Sequence, residues 1–320
     1  MGLGIVTTNF TQMHSYKAFG LSIISEIELP ELSISEPSDD FDLVIKIGQI
    51  ALPKLKKTSI YRRGIRANFG EDDTCNLYLN WDRVANFSAI KGNVLLVAPL
   101  TKDENLLSLF TVSEALGLIL FQRGYFLLHA SSVQVRDEAW CFMGNPGAGK
   151  STTAAAFVKA GCRLLSDDLT AIGFDENGEA QIIPAYPQLK IWDNTVNGLN
   201  FNRSELQPVS EGVNKFSFNS KADFLHEPVA LKEVFFLHKA LNRGPLQLLA
   251  ATKVPTETIR NFPLPTQLLA GNTLKNHFIQ SFQCAKSARM WSKRRPNGFT
   301  ALETWVQESL AINVTAEGNE

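Results

Sequence analysis

The octapeptide GNPGAGKS, residues 144–151, limits what the chain around it can fold into more than any other stretch. Its glycines let successive backbone N–H groups curl inward, in conformations that a Cβ would forbid. Such a loop keeps its shape only between two rigid elements, and the sequence supplies both. AWCFM before it is an apolar strand-forming run, and STTAAAFVKAG after it reads as a helix stopped by Gly161. Strand, glycine-rich loop and helix in that order imply an α/β sheet with the loop at the carboxyl end of a strand.

The spacing G-x-x-x-x-G-K-S adds chemistry to the shape. Gly144, Asn145, Pro146, Gly147, Ala148 and Gly149 form a cradle for a phosphate. Lys150, Ser151 and Thr152 open the helix whose N-terminal dipole faces the same point. Lys150 can place a point charge on the β- and γ-phosphates, and the Ser151 hydroxyl can coordinate Mg²⁺. ATP and Mg²⁺ are therefore the expected ligands.

Directly after that helix, RLLSDDLTAIGF carries Asp167 and Asp168. A right-handed crossover lays this strand parallel to WCFM and brings its carboxyl end beside the loop. Two carboxylates there can divide the work. One holds Mg²⁺, directly or through water, and the other accepts a proton from an incoming hydroxyl.

The run LLHASSVQV…GNPGAGKSTTAAAFVKAGCRLLSDDLTAI resembles the catalytic domain of HPr kinase/phosphorylase. The likeness extends to its smaller serine-kinase relatives, including those of lasso-peptide clusters, and ATP-type phosphoenolpyruvate carboxykinases share the wider fold. It spans residues 126–172 and continues loosely through YPQLKIW, GVNKFSF and PVALKEVFFL. The resemblance implies an α/β phosphate-loop domain of the HPr-kinase and carboxykinase type, in a chain that is α+β overall. It implies transfer of the ATP γ-phosphoryl group to a hydroxyl, a serine of a protein or peptide. In that scheme Asp168 is the general base, Asp167 supports the metal with Ser151, and His129 lies with Lys150 near the transferred group. A family glutamate that assists Mg²⁺ has no equivalent: Gln188 stands in its place, with Lys190 at a basic position. That departure weakens the case for a reverse, phosphorolytic activity. Prototypical family enzymes are hexamers, which leaves a homo-oligomer open.

Other readings stay open on the residues alone. They are an ATP-binding switch or scaffold without productive transfer, a kinase of a small hydroxylated metabolite, and a carboxykinase-like enzyme. The last needs metal ligands and arginines that the sequence does not display.

Around the loop the chain divides into a β-rich module at 1–102, a connecting helix at 103–124 and the phosphate-loop domain at 125–320. Residues 194–223 read as polar and turn-rich, with Lys215 in a stretch able to close over a substrate. After Pro263 the expectation is helix to about Ile312, with SKRRP (292–296) as a helix end and VTAEGNE as a fraying tail. The basic run KLKKTSIYRRGIR (54–66) reads as a solvated hairpin, or as a docking surface for an acidic partner.

A net charge of −1 argues against a dedicated nucleic-acid binder. The apolar stretch 106–121 contains Ser108, Ser113 and Glu114 and reads as a buried helix, with no membrane association expected. The 4 cysteines lack metal-ligand spacing and suit a reducing compartment, and MGLGIVTTNF lacks the pattern of a signal peptide. A cytoplasmic location is expected.

Overall fold

Short apolar runs separated by turns pair into a sheet over the first hundred residues. The structure, a computed structural model, describes residues 13–209, 214–220, 224–241 and 244–311. Its early strands are β1 (His14–Ala18), β2 (Leu21–Ser25), β3 (Ser33–Ile34), β4 (Leu43–Ile47) and β5 (Lys56–Arg62). They continue with β6 (Ile65–Glu71), β7 (Leu77–Trp81), β8 (Ala85–Ile90) and β9 (Val94–Pro99). Together they form a 9-stranded sheet in the order β3-β1-β2-β4-β9-β8-β7-β6-β5. From β5 to β9 each strand pairs antiparallel with the next, whereas β4 lies parallel to both β2 and β9. Arg63 and Gly64, both at positive φ (50° and 76°), make the two-residue turn between β5 and β6. The turn leaves Arg62 at the tip of β5.

A helical run then packs on this sheet. Helix α1 (Glu104–Phe110) is capped by the Asp103 carboxylate, which accepts the Leu106 N–H at 2.9 Å. Helix α2 (Leu116–Gln122) ends at Gly124, φ 82°, with the Tyr125 N–H bonded back to the Leu120 carbonyl. Between them Thr111–Ala115 forms a π turn in which Ser113 leaves helical angles (φ −96°, ψ −114°). The run Glu104–Gln122 is long and apolar enough to cross a membrane, and 72% of its apolar window is buried inside the protein. Trp81 meets Phe110 edge to face at 4.9 Å. The same apolar core takes in Leu127, Leu169, Ala171 and Leu264 from later in the chain.

The remaining strands are β10 (Phe126–Leu128), β11 (Ala130–Val135), β12 (Glu138–Met143), β13 (Arg163–Ser166), β14 (Thr170–Phe174) and β15 (Ala180–Ile183). They are followed by β16 (Gln188–Trp192), β17 (Leu206–Pro208), β18 (Lys215–Asn219), β19 (Val229–His238), β20 (Leu246–Leu248) and β21 (Arg289–Arg294). The second sheet runs β10-β14-β15-β19-β12-β11-β13, and β21 pairs with β19 and β20. Strand β19 is parallel to β12 on one side and to β21 on the other. A 3-stranded sheet, β16-β18-β17, stands apart. Helices α3 (Lys150–Lys159), α4 (Asp193–Gly198), α5 (Val254–Arg260), α6 (Gly271–Ser287) and α7 (Phe299–Ala311) complete a mixed α/β fold. Under α3 the rings of Phe142 and Phe157 stack at 5.3 Å, Phe235 lies 5.8 Å from Phe142, and Trp305 of α7 closes the group edge-on.

The structure corrects the expectation for 263–312. Strand β21 interrupts the helices, so Ser292–Arg294 are strand and SKRRP is not a helix end. Pairing with β19 overrides the helix preference of its Lys and Arg residues. Residues 194–223 are likewise more ordered than their composition suggests, because β17 and β18 pair with β16, and Lys215 opens β18. Residues 210–213 and 221–223 of that stretch, and the VTAEGNE tail, lie outside the described residues.

His277 of α6 carries a consequence for stability. It is buried against Phe126 (4.8 Å) and Phe262 (5.7 Å), its Nε2 has no partner among the described residues, and burial lowers its pKa from 6.5 to about 4. The unfolded chain therefore takes up the proton first, so folding stability is intact above pH 6.5 and is lost as pH falls toward 4. Melting curves across that window should show the loss, and His277→Phe should shrink it. An unchanged slope would place the acid sensitivity elsewhere.

Candidate active site

The glycine-rich loop 144–149 leaves the carboxyl end of β12, an interior strand, and enters α3. Gly144 sits at φ 148°, and a Cβ there would lie 2.5 Å from the Leu237 carbonyl oxygen, so only glycine fits. The Ala148 N–H bonds the Asn145 carbonyl at 2.9 Å and closes the turn. Asn145, Pro146 and Gly147 are exposed at its tip, while Ala148 is buried. Gly149 (φ 101°) leads into Lys150, whose Nζ donates to the Gly144 carbonyl at 3.0 Å across the loop. Burial lowers the Lys150 pKa, against the opposing charges of Asp168 and Asp167. One turn of helix fixes the rest: the Thr152 hydroxyl lies 3.0 Å from that of Thr195 in α4.

The Asp-Asp pair follows β13. This strand is antiparallel to β11, which is antiparallel to β12. It thus runs in the sense of β12, as the crossover argument expects, but with β11 between them. The pair still emerges at the loop's end of the sheet. Asp167 is buried and its carboxylate accepts three hydrogen bonds: Oδ1 accepts from Ser131 (2.6 Å) and Ser151 (2.8 Å), and Oδ2 from the Lys190 N–H (3.0 Å). Burial, then the adjacent charge of Asp168, pushes its pKa up.

Asp168 adopts φ 64°, a left-handed conformation that Asp and Asn tolerate better than most residues. This turn separates its carboxylate from that of Asp167 and aims it into a cavity of about 810 Å³ that also reaches His129, Lys190, Lys215 and Pro146. Burial works against its charge, but Lys215, Lys190 and Arg62 outweigh burial and hold it well below the usual carboxylate range. His129 lies at the break between β10 and β11. Burial, then the charge of Lys150, lowers its pKa to about 4, so it is neutral at pH 7. Lys215 has its ammonium 5.7 Å from the Trp192 ring centroid.

Ser151 and Asp167 fit a small hard cation, which keeps several waters and uses one or two carboxylates plus substrate oxygens. A hydroxyl and a carboxylate oxygen in direct contact beside the glycine-rich loop are such a donor set. Gln188 has its Oε1 buried without a partner and shares a face of β16 with Lys190.

Several residues at the site come from regions that sequence reasoning read otherwise. The run 54–66 is a hairpin, but Arg62 turns inward and meets Glu114 of the π turn through two hydrogen bonds of 2.9 and 3.0 Å. Glu114 outweighs burial and raises the Arg62 pKa, and Arg62 in turn lowers that of Glu114. Arg295, just past β21, reaches the Gly147 carbonyl (3.4 Å) and lies over Gly149. Asn261, which ends α5, is buried and holds two parts of the site at once. Its Oδ1 accepts the Gly144 N–H (3.1 Å), and its carbonyl accepts the His129 N–H (2.6 Å). An asparagine closing a helix before Pro263 was the one signal available for it.

Asn261→Ala would leave the Gly144 N–H without its partner. The expected result is about tenfold weaker nucleotide binding, roughly the 1–2 kcal/mol of a lost partner at a partly buried donor. Calorimetric titration with a non-hydrolysable ATP analogue measures it, and unaltered affinity would remove Asn261 from the loop's support.

No family model and no curated protein matches the chain. One solved structure similar to it is the Hpr(Ser) kinase/phosphatase from Coxiella burnetii, at 13% identity over 60% of this chain and 99% of that one, with a TM-score of 0.32. A likeness that low leaves the site's own residues to speak for its chemistry.

Proposed function

We propose that the protein is an ATP-dependent phosphotransferase acting on a hydroxyl, with serine as the reference acceptor. The observation that carries this reading is the 2.8 Å contact between Ser151 of the phosphate loop and Asp167, with Asp168 next in the chain and turned into the adjoining cavity. The loop N–H groups and Lys150 grip the β- and γ-phosphates of ATP. Mg²⁺, held by Ser151 and Asp167, would neutralise charge on the phosphate oxygens. The acceptor oxygen bonds to the γ-phosphorus as the bridging oxygen departs with ADP, and Asp168 takes the hydroxyl proton. Neutral His129 offers a hydrogen bond beside the transferred group, and Lys215 adds a cation. Most of the rate enhancement is then positioning and electrostatics.

The ionised Asp168 fits this role because its charge is sustained by lysines that a phosphate also attracts. When the γ-phosphate engages them, their hold on Asp168 weakens and its basicity rises. In this reading residues 125–320 form the kinase domain, 103–124 the connecting helix and 1–102 the accessory module, in a cytoplasmic protein without nucleic-acid or membrane partners.

The test is incubation of purified protein with Mg-ATP and either free serine or an HPr-type protein, followed by mass spectrometry for an added phosphate. Transfer that requires Asp168 supports the kinase. ATP binding that Lys150→Ala destroys, with no transfer to any acceptor, would replace it with a nucleotide-dependent switch.

A further inference from the structure

The cavity beside Asp168 contains polar groups that make no hydrogen bond among the described residues. Among the described residues no hydrogen bond reaches the Asp168 carboxylate, the Lys190 ammonium, the Tyr186 hydroxyl or Nη1 of Arg62. Lys190 is only 5% exposed and Tyr186 only 3%, and their polar tips are reached through the cavity that they line. Arg62 cannot swing away, because Glu114 holds its Nε and Nη2. Burial and the charge of Asp168 raise the Tyr186 pKa, which keeps its hydroxyl a donor.

These groups state what is missing. The Asp168 carboxylate shares the cavity with donors from three places: Lys190 of β16, Tyr186 two residues before that strand, and Arg62 of the β5–β6 hairpin. The complement is a hydroxyl for Asp168 and an anionic oxygen group for the donors. The buried Lys190 ammonium gains most from such a group, because burial disfavours its charge. Size points the same way. About 810 Å³ is the range of small-molecule sites, and the Arg63 Nη2 bond to the Val209 carbonyl (3.3 Å) ties the hairpin to the far wall.

We propose that this cavity is the acceptor site and takes a small hydroxylated anion, its hydroxyl on Asp168 and its carboxylate or phosphate on Lys190, Tyr186 and Arg62. This rests on the kinase reading and narrows the acceptor from the protein-borne serine that the sequence resemblance implies. Free serine carries the same carboxylate beside its hydroxyl, as a zwitterion. Transfer forms the acceptor O–P bond, breaks the bond from the γ-phosphorus to the bridging oxygen, releases ADP and leaves the hydroxyl proton on Asp168. The first beta-sheet thereby supplies a wall of the site through Arg62.

The experiment measures ADP release and phosphorylated product with L-serine and glycerate, glycerol 3-phosphate, neutral glycerol, and an HPr-type protein. Turnover with the small anions, and little with glycerol or the protein, is expected; carboxylate and phosphate arms separate the two headgroups. Tyr186→Phe, which keeps the ring and the fold, should raise the acceptor KM about tenfold, as loss of a hydrogen bond to a charged group does. Arg62→Met combined with Glu114→Gln, which strands no carboxylate, should do the same, with the affinity for an ATP analogue unmoved. Lys190→Met decides whose anion Lys190 meets. A raised acceptor KM supports the proposal, and weakened ATP-analogue binding with an unaltered acceptor KM overturns it. Nucleotide binding with transfer only to glycerol, only to the protein, or to nothing also overturns the acceptor while leaving the nucleotide site standing. Absence of ATP binding overturns the kinase reading and this proposal together.

Discussion

Asp168→Asn is expected to slow phosphoryl transfer about 10²–10⁴-fold, the contribution of a positioned general base. Asparagine is the informative replacement because it tolerates the left-handed backbone at φ 64° and keeps the shape of the side chain. It removes the carboxylate and little else. Nucleotide affinity should hold or improve, since a negative charge leaves the neighbourhood of the phosphates. Rapid-quench measurement of one turnover, beside a binding titration, separates the two effects. Undiminished transfer would exclude Asp168 as the base.

Lys150→Met is expected to lower the transfer rate about 10²–10³-fold, the cost of removing one aligned charge from a preorganised site. It should also weaken ATP binding. Stability should respond differently from activity. Lys150 is buried, burial disfavours its charge, and among the described residues its Nζ donates to the Gly144 carbonyl alone, at 3.0 Å. A methionine of similar length removes that penalty, so the ligand-free protein should melt at the same temperature or higher. A variant that fails to fold would instead give Lys150 a structural role.

How much of this could be read from the chain follows from distance along it. The cradle, Lys150, Ser151 and the Asp pair lie within one strand–helix–strand unit, and their spacing carries the geometry. Even there the left-handed turn that parts Asp167 from Asp168 left no trace, because aspartate also occupies ordinary conformations. The rest of the site is assembled across the fold. Arg62 and Glu114 are 52 residues apart, Gly144 and Asn261 117, and Gly147 and Arg295 148. No local pattern records such pairings. The basic runs 54–66 and 292–296 were visible as charge, but which of their arginines turns inward is decided by strand register. Strand β21 was hidden for a related reason: its residues favour a helix, and only β19 beside it makes them a strand.

The π turn at Thr111–Ala115 bears on how this chain can tolerate change in length. A helix that lost one residue there could return to a regular α ladder and would gain local stability. The flanking turns would keep their register, because a π turn is one residue wider than the α turn that would replace it, and the change would fall on the side chains within the turn. Glu114 would swing off the line to Arg62, and the guanidinium would lose the brace that aims it. Insertions and deletions in this short stretch are thus expected to be selected against even though the helix itself would welcome them.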